Sequence, residues 1–174
     1  REEHAKAIDR AVFPMMQGGP LENLIAAKAV ALREATTPEF AEYAARTVRS
    51  ARALAEGMAD EGIRIVSGGT DSHLVLADLR PLSIGGADAE AASEGIGVAL
   101  NKNAIPFDPS PPAKPSGIRV GTPGPATLGM DEPEMKEVAG ILGEVLRRPD
   151  DERVRSACRA RVSDLVQRFP AYPG

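Results

Sequence analysis

Arg119 stands between two glycines, at i−2 and i+2, in Ser116-Gly117-Ile118-Arg119-Val120-Gly121-Thr122. On a strand the side chains alternate, so Ile118 and Val120 face one way while Arg119, Gly117 and Gly121 face the other. The two missing side chains are expected to clear space around the guanidinium. A planar, permanently charged fork in such a space suits a carboxylate gripped by two parallel hydrogen bonds. The competing reading is a surface arginine paired with a helix glutamate. Gln17-Gly18-Gly19-Pro20 is the second candidate. Gly18 and Gly19 carry N–H groups with no Cβ in the way, ahead of a helix expected to start at Pro20, and could seat a phosphate. The same residues also make an ordinary turn. In Asn101-Lys102-Asn103-Ala104-Ile105-Pro106, the amides could hydrogen-bond a polar ring such as a pterin or purine, or close turns through their own backbone.

Other candidates carry less. Ser67-Gly68-Gly69-Thr70-Asp71 lacks the G-x-x-x-x-G-K-[ST] spacing of a phosphate loop and reads as a hairpin connection. The two histidines, His4 and His73, form no metal-ligand pair and lie near no nucleophile elbow, so metal and triad hydrolase chemistry is not expected. The one cysteine, Cys158, excludes an internal disulfide and falls on the apolar side of a helix as a small core residue. Arg153, Arg155, Arg159 and Arg161 read as a solvated helix face balanced by Asp150, Asp151 and Glu152.

The elements that would position these residues follow from periodicity and breakers. Glu2 to Arg10 and Leu21 to Ala35 are helix-forming, separated by a Pro/Gly loop at 11–20. Thr37 caps a long third helix with Pro38 at its first position, its apolar stripe being Phe40, Ala44, Val48, Ala51, Leu54 and Met58. Strands are expected at Ile63–Val66, Leu74–Leu79, Gly97–Leu100 and Ser116–Thr122, with a short helix at Asp88–Ser93 and a Pro-rich loop at Lys102–Pro115. Two helices close the chain, one carrying Met135, Val138, Leu142 and Val145, the other Val154, Cys158, Arg161, Leu165 and Phe169 on one face. This order predicts an α+β or α/β architecture: a small sheet packed with helices, an N-terminal arm, and a long linking helix. The expected division is residues 1–35 as the tail of a larger domain, 36–62 as a connecting helix, and 63–174 as a small C-terminal domain.

Length and composition bound the function. At 174 residues the chain is the size of one ordinary domain with an arm. A net charge of −4 argues against an electrostatically driven nucleic-acid binder. No apolar run approaches a membrane span, and Arg1-Glu2-Glu3-His4 is not a signal peptide, which favours a cytoplasmic address. Hydrophobic residues make up 43% but aromatics only 3%, so the core must be aliphatic. The apolar, irregular Val12-Phe13-Pro14-Met15-Met16 is expected to be covered by another domain or subunit.

Taken together, five motifs resemble serine hydroxymethyltransferases, in the family's order from about Ala7 to Leu146. They are Ala11-Val12-Phe13-Pro14 running into Gln17-Gly18-Gly19-Pro20-Leu21; Ala26-Ala27-Lys28-Ala29-Val30-Ala31; Val66-Ser67-Gly68-Gly69-Thr70-Asp71-Ser72-His73-Leu74; Asn101-Lys102-Asn103-Ala104-Ile105-Pro106-Phe107-Asp108-Pro109; and Ser116-Gly117-Ile118-Arg119-Val120-Gly121-Thr122-Pro123. The resemblance covers the C-terminal part of the family's chain. It implies the small domain of a fold type I (aspartate-aminotransferase-like) enzyme that uses pyridoxal 5'-phosphate. Such enzymes interconvert serine and glycine, with tetrahydrofolate as one-carbon acceptor, as cytoplasmic homodimers or tetramers. By resemblance, Arg119 holds the amino-acid carboxylate and Gly18 and Gly19 touch the cofactor phosphate of a neighbouring subunit. Asn103, Pro111, Pro112 and Ala113 line the folate site. The family's cofactor-binding lysine sits in a Thr-His-Lys setting that none of the five lysines here shares, so the chain alone is expected to be inactive. The alternative is a truncated non-catalytic paralogue, or half of a split enzyme. Pro111-Pro112-Ala113-Lys114-Pro115 also departs from the family's common Ser-Pro-Phe-x-Thr, and Leu21-Glu22-Asn23 from Leu-Met-His.

Overall fold

The structure, a computed structural model, describes residues 1–172. It divides into two compact units, Arg1–Ala41 and Glu42–Gly174. The first unit contains α1 (Glu2–Arg10) and α2 (Glu22–Glu34), and the long α3 (Pro38–Asp60) begins within it. Thr37 caps α3 as expected, its hydroxyl accepting from the Phe40 N–H at 3.2 Å with Pro38 at the first helical position. Between α1 and α2, Ala11–Met16 forms wide helical turns broken at Phe13, whose backbone is extended (φ −126°, ψ 126°). A residue ahead of proline is pushed there sterically. One expectation fails here. Helix α2 starts at Glu22, with extended Leu21 (φ −91°, ψ 91°) as its cap, so Pro20 precedes the helix and Gly18 and Gly19 lie farther from its positive end. No residue of α1 or α2 is buried.

The second unit is α+β. Four antiparallel strands, β1 (Arg64–Ile65), β2 (Leu74–Asp78), β3 (Asn101–Asn103) and β4 (Gly117–Gly121), lie in the order β1-β2-β4-β3. Helices α4 (Gly86–Glu94), α5 (Pro123–Thr127), α6 (Glu132–Arg147) and α7 (Glu152–Arg168) complete it. Val75 opposite Val120 and Ala77 opposite Ile118 make the buried face of the sheet. They join Met58, Leu79, Ile96, Met135, Ile141 and Leu146 in one aliphatic and methionine core, which includes no aromatic side chain among its buried members. Gly57 lets α3 approach α6 closely, since a Cβ there would lie 2.7 Å from that of Ala139. Cys158 is fully buried in this core, and burial pushes its thiol pKa upward.

The strand expected at Gly97–Leu100 is not formed. Gly97 (φ +88°) ends α4 in a left-handed cap, with the N–H groups of Ile96 and Val98 both donating to the Ser93 carbonyl. The strand begins afterwards, at Asn101, within what the sequence suggested was already the entry to the Pro-rich loop. Val98 and Leu100 still pack on the core, which explains their apolar alternation.

Candidate functional site

Strand β4 runs between β2 and β3, so both of its backbone edges are occupied. Opposite to its buried Ile118 and Val120, Arg119 is exposed, paired in register with Leu76 on one side and Asn101 on the other. The Arg119 Nε–H donates to Asn101 Oδ1 at 3.2 Å, while Asn101 Nδ2 donates to the Lys102 carbonyl at 2.8 Å. The two Nη groups of Arg119 have no hydrogen bond or ion pair among the described residues. The paired-arginine alternative therefore finds no glutamate within the described part of the chain.

The flanking glycines do not leave an empty notch, contrary to expectation. A Cβ on Gly117 would sit 2.5 Å from the Ala77 carbonyl oxygen, 2.6 Å from Ile105 Cγ2 and 3.1 Å from the Asn103 carbonyl. One on Gly121 would lie 3.1 Å from Leu74 Cδ2. These glycines let neighbours close in on β4 rather than clearing room for a ligand. The open space lies elsewhere. A depression of about 390 Å³ is lined by Arg119, Asn103, Leu74, Leu76 and the Val66–Ser72 turn. That turn, read from sequence as a bare hairpin connection, is a wall of this depression. Its order is local: Thr70 Oγ1 donates to the Leu74 carbonyl at 2.7 Å and accepts from the Ser72 N–H at 3.1 Å. Ser67 adopts a left-handed backbone (φ +63°), uncommon for a residue with a side chain. The dense Ser/Gly/Thr composition ahead of a strand was the available signal.

Asn103 lines the same depression, but its Nδ2 donates to the adjacent Ala104 carbonyl at 2.7 Å. Pro111, Pro112 and Ala113 are exposed on the following loop. Asp108 gathers both ends of that loop: it accepts from the N–H groups of Ile105 (3.2 Å), Ser110 (2.9 Å) and Ser116 (2.9 Å), and from the Ser116 hydroxyl (2.7 Å). These donors, led by Ser116, hold its carboxyl well below the usual range. At the end of β2, in register with Gly117, Asp78 is buried and accepts from Arg80 Nη2 (2.8 Å), Arg80 N–H (3.0 Å) and Arg64 Nε (2.7 Å). The Arg80 side chain foremost, against the opposing effect of burial, lowers its pKa to about 2.

In the first unit, a Cβ added to Gly18 or Gly19 would meet nothing within 4 Å. Their N–H groups have no acceptor among the described residues. The His4 side chain lies 3.5 Å from that of neighbouring Glu3, and His73 is an exposed residue whose carbonyl accepts from the Thr122 N–H. Among the described residues no group of three or more His, Cys, Asp or Glu is placed to hold a metal ion. No helix there is long and apolar enough to cross a membrane.

Comparison with known proteins agrees with the motif order. A family model described as serine hydroxymethyltransferase matches residues 1–142. A serine hydroxymethyltransferase of Acidobacterium capsulatum is 49% identical over 172 residues, covering 99% of this chain and 40% of its own. The chain thus spans about two fifths of the length of that relative.

Proposed function

This chain belongs to the serine hydroxymethyltransferase family, and we propose that its 174 residues are the C-terminal segment of a transferase interconverting serine and glycine, with tetrahydrofolate accepting the one-carbon unit. The observation that carries this reading is Arg119, an exposed cation on an interior strand that lines an open depression, with both Nη groups unpaired among the described residues. Its fork takes the amino-acid carboxylate and so fixes the orientation of the α-carbon substituents. Pyridoxal phosphate, when bound, supplies the sink for negative charge developing at that carbon. The open N–H groups of Gly18 and Gly19 suit the phosphate of this cofactor, held in a neighbouring subunit of a cytoplasmic homodimer or tetramer. Asn103 and the loop tip Pro111–Ala113 form part of the folate wall. The second unit is then the small domain of a fold type I enzyme.

Replacing Arg119 with lysine keeps the charge and removes the fork. Losing one or two charge-assisted hydrogen bonds corresponds to about 1.5–3 kcal/mol, or roughly a ten- to hundredfold higher KM for serine. Unchanged serine binding by an assembled Arg119→Lys enzyme refutes the role. A second reading is a non-catalytic paralogue or split-enzyme half; none of the five lysines here has a Thr-His-Lys setting. The isolated chain, mixed with pyridoxal phosphate and reduced with borohydride, is expected to show no uniquely and stoichiometrically labelled lysine by mass spectrometry. A single such lysine overturns the assignment of that residue to another part of the enzyme.

A further inference from the structure

We propose that Asn101 is a positioning residue for Arg119, holding its Nε–H so that both Nη groups are presented to a substrate carboxylate. The inference rests on the carboxylate reading of Arg119 and extends it to a side chain that contacts no substrate. An arginine on a sheet face has several rotamers, and each one not aimed at the ligand lowers apparent affinity by its population. Here the register places Asn101 directly opposite Arg119 on β3, and its Oδ1 accepts the Nε–H at 3.2 Å. The amide is itself oriented, because its Nδ2 is committed to the Lys102 carbonyl. That leaves Oδ1 as the end turned toward the arginine.

Two neighbouring features keep the arrangement selective. Lys102 is engaged with Glu90, its Nζ 3.1 Å from Glu90 Oε2, so it does not compete for the same anion. Arg119 is the cation among the residues lining the depression, and the acid among them is Asp71. An amide is the side chain suited to position 101. Aspartate would have similar size and would accept the Nε–H more strongly, but it would also place a fixed negative charge where the substrate's own carboxylate must approach. Alanine would release the guanidinium altogether.

The test uses the assembled enzyme and separates KM from kcat. Asn101→Ala is expected to raise KM for serine about fivefold to tenfold with kcat within about twofold of the parent, because only ground-state orientation is lost. Asn101→Asp is expected to raise it further, about thirtyfold or more, and to weaken inhibition by simple carboxylates in parallel. Asn101→Ser, which keeps a short acceptor, should recover part of the alanine defect. Nitrogen-15 spectra of Arg119 add a readout independent of turnover: its Nε–H should exchange slowly with solvent in the parent and quickly in Asn101→Ala. If Asn101→Ala and Asn101→Asp both keep the parental KM while Arg119→Lys raises it, the positioning role is wrong and the carboxylate role stands. If Arg119→Lys also keeps the parental KM, the carboxylate reading itself fails.

Discussion

Asp78 is the buried carboxylate of the described chain, held between two arginines that are each about half exposed. Its pKa in the folded state, about 2, lies below the ordinary value near 3.8. A depressed acid contributes stability that is fully present above the unfolded-state pKa and lost as pH falls through the folded-state value. The stability held in these ion pairs is on the order of 2 kcal/mol. Asp78→Asn is therefore expected to unfold at lower urea than the parent at pH 7, with the gap closing as pH drops from 4 toward 2. A gap that does not change over that range would show that the ion pairs are not its source. Such a constellation was not legible beforehand, because Arg64, Asp78 and Arg80 meet only once β1 pairs with β2. Arg119 was legible, since its alternation with Ile118 and Val120 needs no tertiary information. The role of its glycines was misread, because whether a missing Cβ leaves a void depends on what the adjacent strands and Ile105 do with the room.

At the level of elements, the glycines make opposite predictions. Gly117→Ala would drive a methyl group into the Ala77 carbonyl and Ile105, both within 2.6 Å of the new atom, and should cost on the order of 1–3 kcal/mol in thermal or denaturant unfolding. Gly18→Ala and Gly19→Ala meet no neighbour, so the stability of the chain itself should change by no more than about 0.5 kcal/mol. Any loss of pyridoxal phosphate retention by those two variants in the assembled enzyme then reports on the cofactor and not on folding. The loop from Ile105 to Ser116 gives a third test. Asp108→Ala removes the acceptor for four donors at the two ends of this loop, and cleavage by a nonspecific protease should move to Pro109–Lys114. Both long strands and every helix but α5 could be read from periodicity or composition; α5 (Pro123–Thr127) was missed because its Pro123-Gly124-Pro125 start reads as a link. The short β3 could not, because three polar residues, Asn101-Lys102-Asn103, carry no apolar alternation and owe their extended form to pairing with β4.

For the whole molecule, the two units differ in kind. The second has an aliphatic core of its own. The first has no buried residue and exposes Ile8, Phe13, Met15, Met16, Leu21, Ile25, Val30 and Leu32, several of them more than half accessible. Apolar surface on this scale requires a cover. Deleting residues 1–41 is expected to leave the cooperative unfolding of the remainder intact and to reduce self-association of the isolated chain, both measurable by urea titration and analytical ultracentrifugation. Cooperative unfolding that disappears with the deletion would mean that the second unit is not independently stable.

The pairing of β4 on both edges has an evolutionary corollary. A side chain borne by a strand with no free rim should be insulated from drift in the surrounding turns, so that residues 67–72 and 109–115 change length or chemistry while the cation stays in place. Variation among related chains should accumulate in those two segments. The arginine and the strand beneath it should be the last parts of the architecture to move.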